Sequence, residues 1–260
     1  LKYRYLDLRN QKVKDNIVFR SRVISFLRQK MTEMGFLEIQ TPILCASSPE
    51  GARDYIVPSR KYKGKFYALP QAPQQYKQLL MVSGFDKYFQ IAPCFRDEDA
   101  RADRSPGEFY QLDMEMAFAT QEDVFSVIED VLPPVFAKYG TYKTASKAPF
   151  KRISYKDAME KYGSDKPDLR IDLELQDVTD VMADCGFGPF EGQKIKAIVV
   201  DDFTATRKVI DKICADVEVQ SGNKAYWFKV DESGELAGGI AKFLQDRKEK
   251  VMEALSLKPG

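Results

Sequence analysis

Residues 108–116 have the sequence Glu108-Phe109-Tyr110-Gln111-Leu112-Asp113-Met114-Glu115-Met116. From Tyr110 onward, every second side chain is apolar or aromatic, which is the period of a β-strand that buries one face in a core. The preceding run, residues 88–98, also has strand character, and a polar loop of residues 99–107 joins the two. The sequence therefore predicts a long antiparallel hairpin. Its core face carries Tyr110, Leu112, Met114, Met116 and Phe118, and its opposite face carries Phe109, Gln111, Asp113 and Glu115.

The face opposite the core has the chemistry of a nucleotide site. Arg96 and Glu98 share a face of the first strand, and Phe109 belongs to the same face of the second if the two faces coincide. An arginine can neutralise a phosphoryl oxygen, a carboxylate can accept from an exocyclic amine, and a phenyl ring can stack on a base. A solvated face with cross-strand ion pairs is the ordinary alternative for such a hairpin. Arg101 and Arg104 in the joining loop can reach a phosphate backbone, unless the neighbouring aspartates only neutralise them.

Two segments before the hairpin offer groups for a small substrate. Gln74 and Lys77 share one face of a helix predicted over residues 74–83 with Pro73 at its first position, so an amide and an ammonium can jointly bind a carboxylate. The turn-rich segment 45–60 is predicted to be a loop in which Glu50 can close over a ligand ammonium. An exposed lysine and an ordinary surface loop are the alternatives.

The remaining elements follow from periodicity. A helix covers the apolar positions from Phe19 to Met34 and ends at Gly35, and residues 36–40 form a short strand cut off by Pro42. A helix over residues 121–139 is interrupted by Pro133-Pro134. Beyond a domain boundary near residue 175, the sequence predicts a compact strand–helix–strand unit. Its three segments are residues 195–200, 206–215 and 224–230.

Composition excludes several classes of protein. The 260 residues are 44% hydrophobic, with 40 Lys and Arg against 39 Asp and Glu and no His. No apolar run is long enough to span a membrane, and no secretory signal is visible. The four cysteines are far apart and lack His companions, so we expect reduced thiols and no metal site. Without His, Ser-His and Cys-His catalysis are excluded, and chemistry must depend on positioning and charge.

Several motifs together resemble the bacterial-type aspartyl-tRNA synthetases, a family of class II aminoacyl-tRNA synthetases. They are Thr41-Pro42-Ile43-Leu44, Ser48-Pro49-Glu50-Gly51-Ala52-Arg53-Asp54-Tyr55, Ala68-Leu69-Pro70-Gln71-Ala72-Pro73-Gln74, Phe95-Arg96-Asp97-Glu98-Asp99 and Gly163-Ser164-Asp165-Lys166-Pro167-Asp168-Leu169-Arg170. The resemblance implies an α+β fold, with a mainly antiparallel class II sheet and flanking helices over residues 1–174. Residues 175–260 resemble a smaller α/β insertion domain that these enzymes share with an amidotransferase subunit.

The resemblance also implies roles for individual residues. Arg96 is expected on the ATP α-phosphate, Glu98 on the adenine amine and Phe109 against the adenine ring. The expected aspartate-binding residues are Glu50, Gln74, Lys77, Gln111 and Asp113, with Lys77 on the side-chain carboxylate and Glu50 on the ammonium. Asp99, Arg101, Arg104 and Ser105 are expected to contact the tRNA acceptor end. No metal ligand is expected in the chain, although Mg²⁺ should accompany ATP.

The expected activity is ATP-dependent formation of aspartyl-adenylate and transfer to tRNA(Asp), with tRNA(Asn) left open, in a cytoplasmic homodimer. A glycine-rich motif 3 and an N-terminal anticodon-binding domain are missing, and the chain opens with Leu1. The chain is therefore expected to be an internal fragment, inactive alone. Ala72 replaces the family's usual serine, and Gly107 resembles an insertion. The alternatives are a non-enzymatic synthetase-like module and an asparaginyl-specific or lysyl-specific relative, and Lys77 opposite a substrate carboxylate argues against lysine.

Overall fold

The computed structural model describes residues 2–48, 50–98, 106–142 and 145–259. These residues belong to two compact units, Leu1–Phe150 and Lys151–Gly260. The first unit contains α1 (Arg4–Asp7), α2 (Gln11–Glu33), β1 (Leu37–Glu38), β2 (Ile56–Pro58), β3 (Phe66–Ala68), α3 (Gln74–Val82), β4 (Lys87–Phe95), β5 (Glu108–Met116) and α4 (Gln121–Tyr139).

The predicted hairpin is the centre of the first unit. Strands β4 and β5 pair antiparallel over their whole length, with Cys94 opposite Phe109 and Gln90 opposite Asp113. The short β1 pairs with β4 in parallel, which gives a mixed three-stranded sheet. Strands β2 and β3 form a separate antiparallel pair, so part of the segment predicted to be a loop, residues 45–60, is extended.

The apolar face of the hairpin packs on two helices, as its alternation predicts. Leu112, Met114 and Met116 of β5 join a cluster formed by Met31, Phe36, Phe89, Val127 and Val131. Phe118 was predicted on this face, and that prediction is wrong. The strand ends at Met116, and Phe118 is 100% exposed with φ +54°, which turns its side chain away from the sheet.

The helix ends agree with local sequence signals, with two exceptions. Gly35 follows α2 at φ +82°, the left-handed conformation in which glycine avoids the Cβ clash. Thr120 and Asp123 form a capping box at the start of α4. Pro73 precedes α3 as its N-cap instead of its first residue. Helix α4 continues through Pro133-Pro134 without the predicted interruption, because its buried face at Val127 and Val131 packs on the sheet.

The second unit has its own core. It contains α5 (Tyr155–Tyr162), β6 (Gln176–Asp177), α6 (Thr179–Met182), β7 (Lys196–Ala197), α7 (Arg207–Ser221), β8 (Lys229–Val230), β9 (Leu236–Ala237) and α8 (Lys248–Ala254). Its buried apolar residues include Val178, Met182, Leu236, Leu244 and Val251. The predicted strand–helix–strand unit is not formed as one sheet, because β7 pairs with β6 and β8 pairs with β9.

Residues 151–174 lie in the second unit. Glu160 of α5 forms ion pairs with Lys194 and Lys196, and Leu175 donates its N–H to the carbonyl of Lys161. The compact units therefore divide before the boundary predicted near residue 175, which stays a prediction about the family's domains. None of the described helices is both long and apolar enough to span a membrane.

Candidate active site

The polar face of the hairpin, as predicted from sequence alternation, is buried along β4 and mostly half-buried along β5. Tyr88, Gln90, Ala92 and Cys94 of β4 lie on this face and are almost fully enclosed. Because directly paired residues of an antiparallel hairpin share a face, these four side chains line up with the polar set of β5. The two predicted faces therefore coincide, and the surface they form is enclosed along β4 and at Asp113 and half-buried at Phe109, Gln111 and Glu115.

Lys77 and two carboxylates form an ion cluster at one end of this surface. The Lys77 ammonium lies 2.9 Å from Asp113 Oδ1 and 3.3 Å from Glu115 Oε2. Its side chain is 12% exposed, and that of Asp113 is 2% exposed. Helix α3 supplies the lysine and β5 supplies both carboxylates, so the cluster joins a helix to the sheet. The alternative that Lys77 is an ordinary exposed lysine is therefore wrong.

Burial and ion pairing have opposite effects on the pKa of Lys77. Loss of solvent lowers it, whereas hydrogen bonds and charge from Asp113 and Glu115 raise it. The two carboxylates together outweigh burial, and the pKa lies above its ordinary value. Lys77 is therefore a permanent cation at physiological pH.

A second set of buried polar groups lies beneath Asp113. Gln90 donates from Nε2 to the Tyr88 hydroxyl at 2.5 Å and to the Thr41 hydroxyl at 2.8 Å. Burial raises the pKa of Tyr88, so that hydroxyl keeps its proton. Among the described residues, Asp113 Oδ2 is the buried side-chain atom without a hydrogen-bond partner. One oxygen of Asp113 holds Lys77, and the Tyr88 hydroxyl, whose pKa Asp113 also raises, lies near the carboxylate.

Arg96 and Phe109 meet at the other end of the surface. The Arg96 guanidinium lies 5.1 Å from the centre of the Phe109 ring, in a cation–π contact. Arg96 donates its backbone N–H to the carbonyl of Gly107 at 2.8 Å, which continues the hairpin beyond β4. A Cβ at Gly107 would lie 2.7 Å from the Tyr55 hydroxyl and 3.1 Å from the Arg96 carbonyl. A larger residue at this position would require the Tyr55 hydroxyl to move, so the close approach of the three segments favours glycine.

Hydrogen bonds from the buried side chain of Gln71 hold the segment that contains Glu50. Gln71 is 1% exposed, and its amide donates to the Ala52 carbonyl at 2.8 Å and to Asp54 Oδ1 at 2.6 Å. Its carbonyl accepts the Ala52 N–H at 3.1 Å. The Arg53 side chain donates from Nε to the Asp97 carbonyl, and Asp97 donates its backbone N–H to the Arg53 carbonyl. These two hydrogen bonds connect the segment to the residues that follow β4.

Cys94 lies under the centre of the surface. Its thiol is 3.5 Å from Gln111 Oε1. Burial raises the pKa of this thiol to about 11, and the charges of Arg96, Asp113, Glu50 and Lys77 all act on it. Arg96 and Lys77 lower the pKa, and Asp113 and Glu50 raise it. Four side chains predicted from sequence as site residues are therefore close enough to influence one buried atom.

The other predicted site residues have less defined contacts. Gln74 is the first residue of α3 and is half-buried, and Glu98 is exposed beyond the end of β4. Glu50 is half-buried, with one carboxylate oxygen 3.3 Å from the Ser48 hydroxyl. The tRNA-contact prediction for Asp99, Arg101, Arg104 and Ser105 lies outside the described residues.

Sequence reasoning missed the supporting groups of the site. It gave Gln71 no role within its motif, and it did not assign Tyr88, Gln90 and Cys94 to the polar face. The signal was present for the last three, since the predicted strand 88–98 places them on the same face as Arg96. For Gln71 no local signal exists, because its partners lie 17 to 19 residues away in the chain.

The two charged ends are separated by a distance that suits an extended ligand. From Phe109 to Asp113 there are four residues along β5, or about 13 Å at the usual rise per residue. A base can stack at the Arg96–Phe109 end while a small carboxylate reaches the Lys77 end.

Among the described residues there is no group of three or more His, Cys, Asp or Glu side chains that can hold a metal ion.

The chain belongs to the tRNA synthetases of class II (D, K and N), since this family matches residues 1–255. The chain is 56% identical to an aspartate–tRNA ligase of Streptomyces griseus, in an alignment that takes in 100% of the chain. It is 58% identical to an aspartate–tRNA(Asp/Asn) ligase of Wolbachia pipientis from Culex pipiens, again over 100% of the chain. The chain spans 44% of the length of each of these relatives.

A solved structure supports the fold assignment. Asparaginyl-tRNA synthetase from Pyrococcus horikoshii, complexed with asparaginyl-adenylate, superposes with a TM-score of 0.53 at 25% sequence identity. The match covers 60% of this chain and 39% of that chain. The α+β fold and the class II resemblance expected from sequence are therefore confirmed.

Proposed function

We propose that the protein is an aspartate–tRNA ligase, which activates L-aspartate with ATP and transfers it to tRNA. The observation that carries the proposal is the largely enclosed Lys77 ammonium, held by Asp113 and Glu115 on the same surface as Arg96 and Phe109. A fixed cation suits a substrate whose side chain is a carboxylate. Relatives more than half identical over the whole chain bear the name of this activity.

The ATP end of the proposed site uses Arg96, Glu98 and Phe109. Adenine stacks on Phe109, Glu98 accepts from its exocyclic amine, and Arg96 moves from the ring to the α-phosphate. Arg96 is exposed, so this movement breaks only the cation–π contact and no buried pair. Adenine takes the place of the Arg96 guanidinium on the Phe109 ring, and the displaced guanidinium becomes available to the α-phosphate.

The aspartate end uses Glu50, Gln74, Lys77, Gln111 and Asp113. Lys77 has three donors and uses two of them on Asp113 and Glu115, so one is available for the substrate side-chain carboxylate. Glu50 faces the substrate ammonium from the segment that Gln71 anchors. Asp113 holds the Lys77 ammonium in place, and Gln74 and Gln111 supply amide contacts.

The reaction needs no nucleophile from the protein. An oxygen of the bound α-carboxylate attacks the α-phosphorus in line, a new P–O bond forms, and the bond to pyrophosphate breaks. The tRNA 3′-terminal hydroxyl then attacks the activated carbonyl, loses its proton and releases AMP. Positioning and fixed charge supply the catalysis.

Magnesium is proposed to enter with ATP. The described residues contain no cluster of three or more candidate ligands, and Mg²⁺ in nucleotide sites is held mainly by phosphates and water. No step of the proposed reaction is assigned to a protein-bound metal ion.

The tRNA partners proposed are tRNA(Asp) and, as a second candidate to be tested, tRNA(Asn). Relatives of nearly equal identity bear both names, aspartate–tRNA ligase and aspartate–tRNA(Asp/Asn) ligase. Comparison of charging with purified tRNA(Asp) and tRNA(Asn) separates the two. Charging of tRNA(Asp) alone would restrict the proposal to one tRNA.

A homodimer in the cytoplasm is proposed for the complete gene product. Support for the dimer comes from a groove of about 280 Å³ between α2 and the sheet, lined by Ile24, Arg28, Gln40, Thr41, Ile43, Ile91, Pro93 and Tyr110. Phe19 on α2 and Ile43 beside the groove are large exposed apolar side chains. Sedimentation of the wild-type protein against an Ile24→Glu variant tests this assignment, and a monomeric wild type would contradict it.

The proposed specificity is tested with non-hydrolysable aspartyl-, asparaginyl- and lysyl-adenylate analogues. Selective thermal stabilisation of the complete gene product by the aspartyl analogue is the expected result, because binding to the native state alone raises the unfolding temperature. Stronger stabilisation by the asparaginyl analogue would favour the asparaginyl alternative. Stabilisation by none of them, together with tRNA binding, would favour a non-enzymatic module.

A further inference from the structure

The β2–β3 pair ends in a strongly basic tip. Residues 56–68, which we name the basic hairpin, carry Arg60, Lys61, Lys63 and Lys65 within six positions. No Asp or Glu occurs anywhere from Tyr55 to Phe85, although the chain has 39 acidic residues. All four cations are exposed. Positive charge is therefore concentrated at this point of a chain whose formal net charge is only +1.

The tip of the basic hairpin has a defined geometry. Ser59 donates its N–H to the Lys65 carbonyl at 2.9 Å, and its hydroxyl accepts the Tyr62 N–H at 3.1 Å. Gly64 has φ +74°, which closes the turn in a conformation that favours glycine. The four cations therefore project from one closed turn and not from an irregular segment.

The base of the basic hairpin adjoins the candidate active site. Ala68 exchanges two backbone hydrogen bonds with Cys45, and Leu69 donates to the Tyr55 carbonyl at 2.9 Å. Phe95, the residue before Arg96, donates its N–H to the Pro70 carbonyl at 2.9 Å. Each strand has three residues, so the tip extends about 10 Å from the rim of the site.

The cations of the basic hairpin are not neutralised by acidic side chains in the described ranges. None of the four forms an ion pair there, whereas Lys194 and Lys196 of the second unit each face two carboxylates. Tyr62 and Phe66 are also exposed, by 53% and 57% of their surface. A surface of unneutralised cations interleaved with aromatic rings suits a polyanion that also carries bases.

We propose that the basic hairpin binds the phosphodiester backbone of the tRNA strand that enters the site, through Arg60, Lys61, Lys63 and Lys65. The inference depends on the proposed function, because that function requires the 3′ end of a tRNA to reach the bound adenylate. A strand directed toward Arg96 passes the rim from which the basic hairpin extends. Phosphate contacts of this kind position the RNA without reading its sequence.

The test removes the charges and measures the salt dependence of tRNA binding by the complete gene product. The variant is Arg60→Gln, Lys61→Gln, Lys63→Gln and Lys65→Gln combined. We expect the Kd for tRNA to rise at least about tenfold near 0.1 M salt. The slope of log K against log salt should decrease by about 0.7 to 0.9 for each phosphate that the variant no longer neutralises. All four residues are exposed, so the melting temperature should not change.

A matched control keeps the charge and changes the side chains. The combination Arg60→Lys, Lys61→Arg, Lys63→Arg and Lys65→Arg should bind tRNA with the wild-type salt slope. Aspartate-dependent exchange of pyrophosphate into ATP needs no tRNA, and it should be equal in all three proteins. An unchanged Kd and slope in the glutamine variant would overturn the inference while leaving the proposed function intact. Absence of exchange in the wild type would instead overturn the proposed function.

Discussion

At the residue scale, the central feature is the largely enclosed ammonium of Lys77, which two carboxylates hold. Lys77 was recognised from its spacing after Gln74, but its burial could not be predicted, since a helical lysine is ordinarily exposed. The carboxylates that enclose it lie 36 and 38 positions further along the chain. Their alternation placed them on one face of a strand, and only the packing of α3 on β5 brings them to the lysine.

Removal of the lysine should therefore destabilise the fold. We expect Lys77→Met to lower the free energy of unfolding by about 3 kcal/mol, because it leaves Asp113 charged, buried and without its cation. Adding Asp113→Asn should restore part of the stability, since the uncompensated charge is then gone. Urea unfolding measures both effects, with Gln78→Ala on the exposed side of α3 as the control. Equal stabilities of the wild type and Lys77→Met would contradict the buried ion cluster.

The buried thiol beneath the site predicts a loss of stability in alkali. Burial raises the pKa of Cys94 to about 11, so the unfolded chain releases this proton at lower pH than the folded chain. The stabilisation is complete below the ordinary thiol pKa of about 8.5 and is lost as the pH rises toward 11. A difference of one between the pKa values of the folded and unfolded states corresponds to about 1.4 kcal/mol. Burial raises the pKa of Tyr88 too, which adds to the loss of stability.

Urea unfolding at about pH 8 and about pH 10.5, on either side of most of this titration, measures the effect. Cys94→Ala should reduce the difference in stability between the two pH values, whereas Cys185→Ala in the second unit should leave the difference unchanged. The same pH dependence in wild type and Cys94→Ala would show that the thiol is not the group responsible.

At the element scale, the strongly periodic segments were predictable and the short ones were not. The β4–β5 hairpin, α2 and α4 each carry a regular apolar stripe, and the periodicity of that stripe predicts both the element and the face that packs on the core. Strand β2 escaped prediction because three residues, Ile56–Pro58, are too few to show alternation. The end of β5 at Met116 was missed because the apolar alternation continues to Phe118, while the backbone turns away from the sheet.

The connection between Gln71 and the segment of residues 50–54 predicts how that segment behaves when the anchor is removed. Gln71→Leu abolishes three hydrogen bonds, and we expect a loss of about 1–3 kcal/mol because Asp54 and the Ala52 backbone lose their buried partner. Tryptic cleavage after Arg53 should become faster, since the segment opens more often. Gln75→Leu, at an exposed position of α3, is the control and should not alter the cleavage rate. Equal cleavage rates in wild type and Gln71→Leu would contradict the anchoring role.

At the scale of the whole molecule, the sequence predicted two regions and the structure describes two compact units with separate cores. The class of fold followed from ordered motifs, and the paired faces of the hairpin followed from alternation. The strand pairing of the second unit could not be predicted from the sequence. Its strands are two residues long, and no sequence pattern indicates which strands pair. Long-range pairing of short strands is the part of a fold that local sequence least determines.

Amino-acid-dependent exchange of pyrophosphate into ATP measures whether the surface between Arg96 and Lys77 activates aspartate. The complete gene product should catalyse exchange with aspartate and not with asparagine or lysine. Lys77→Met should raise the KM for aspartate far more than the KM for ATP, and the exposed-site variant Gln78→Ala should change neither. Exchange that is supported better by asparagine, or an equal KM for aspartate in the wild type and Lys77→Met, would show that this surface does not bind aspartate through Lys77.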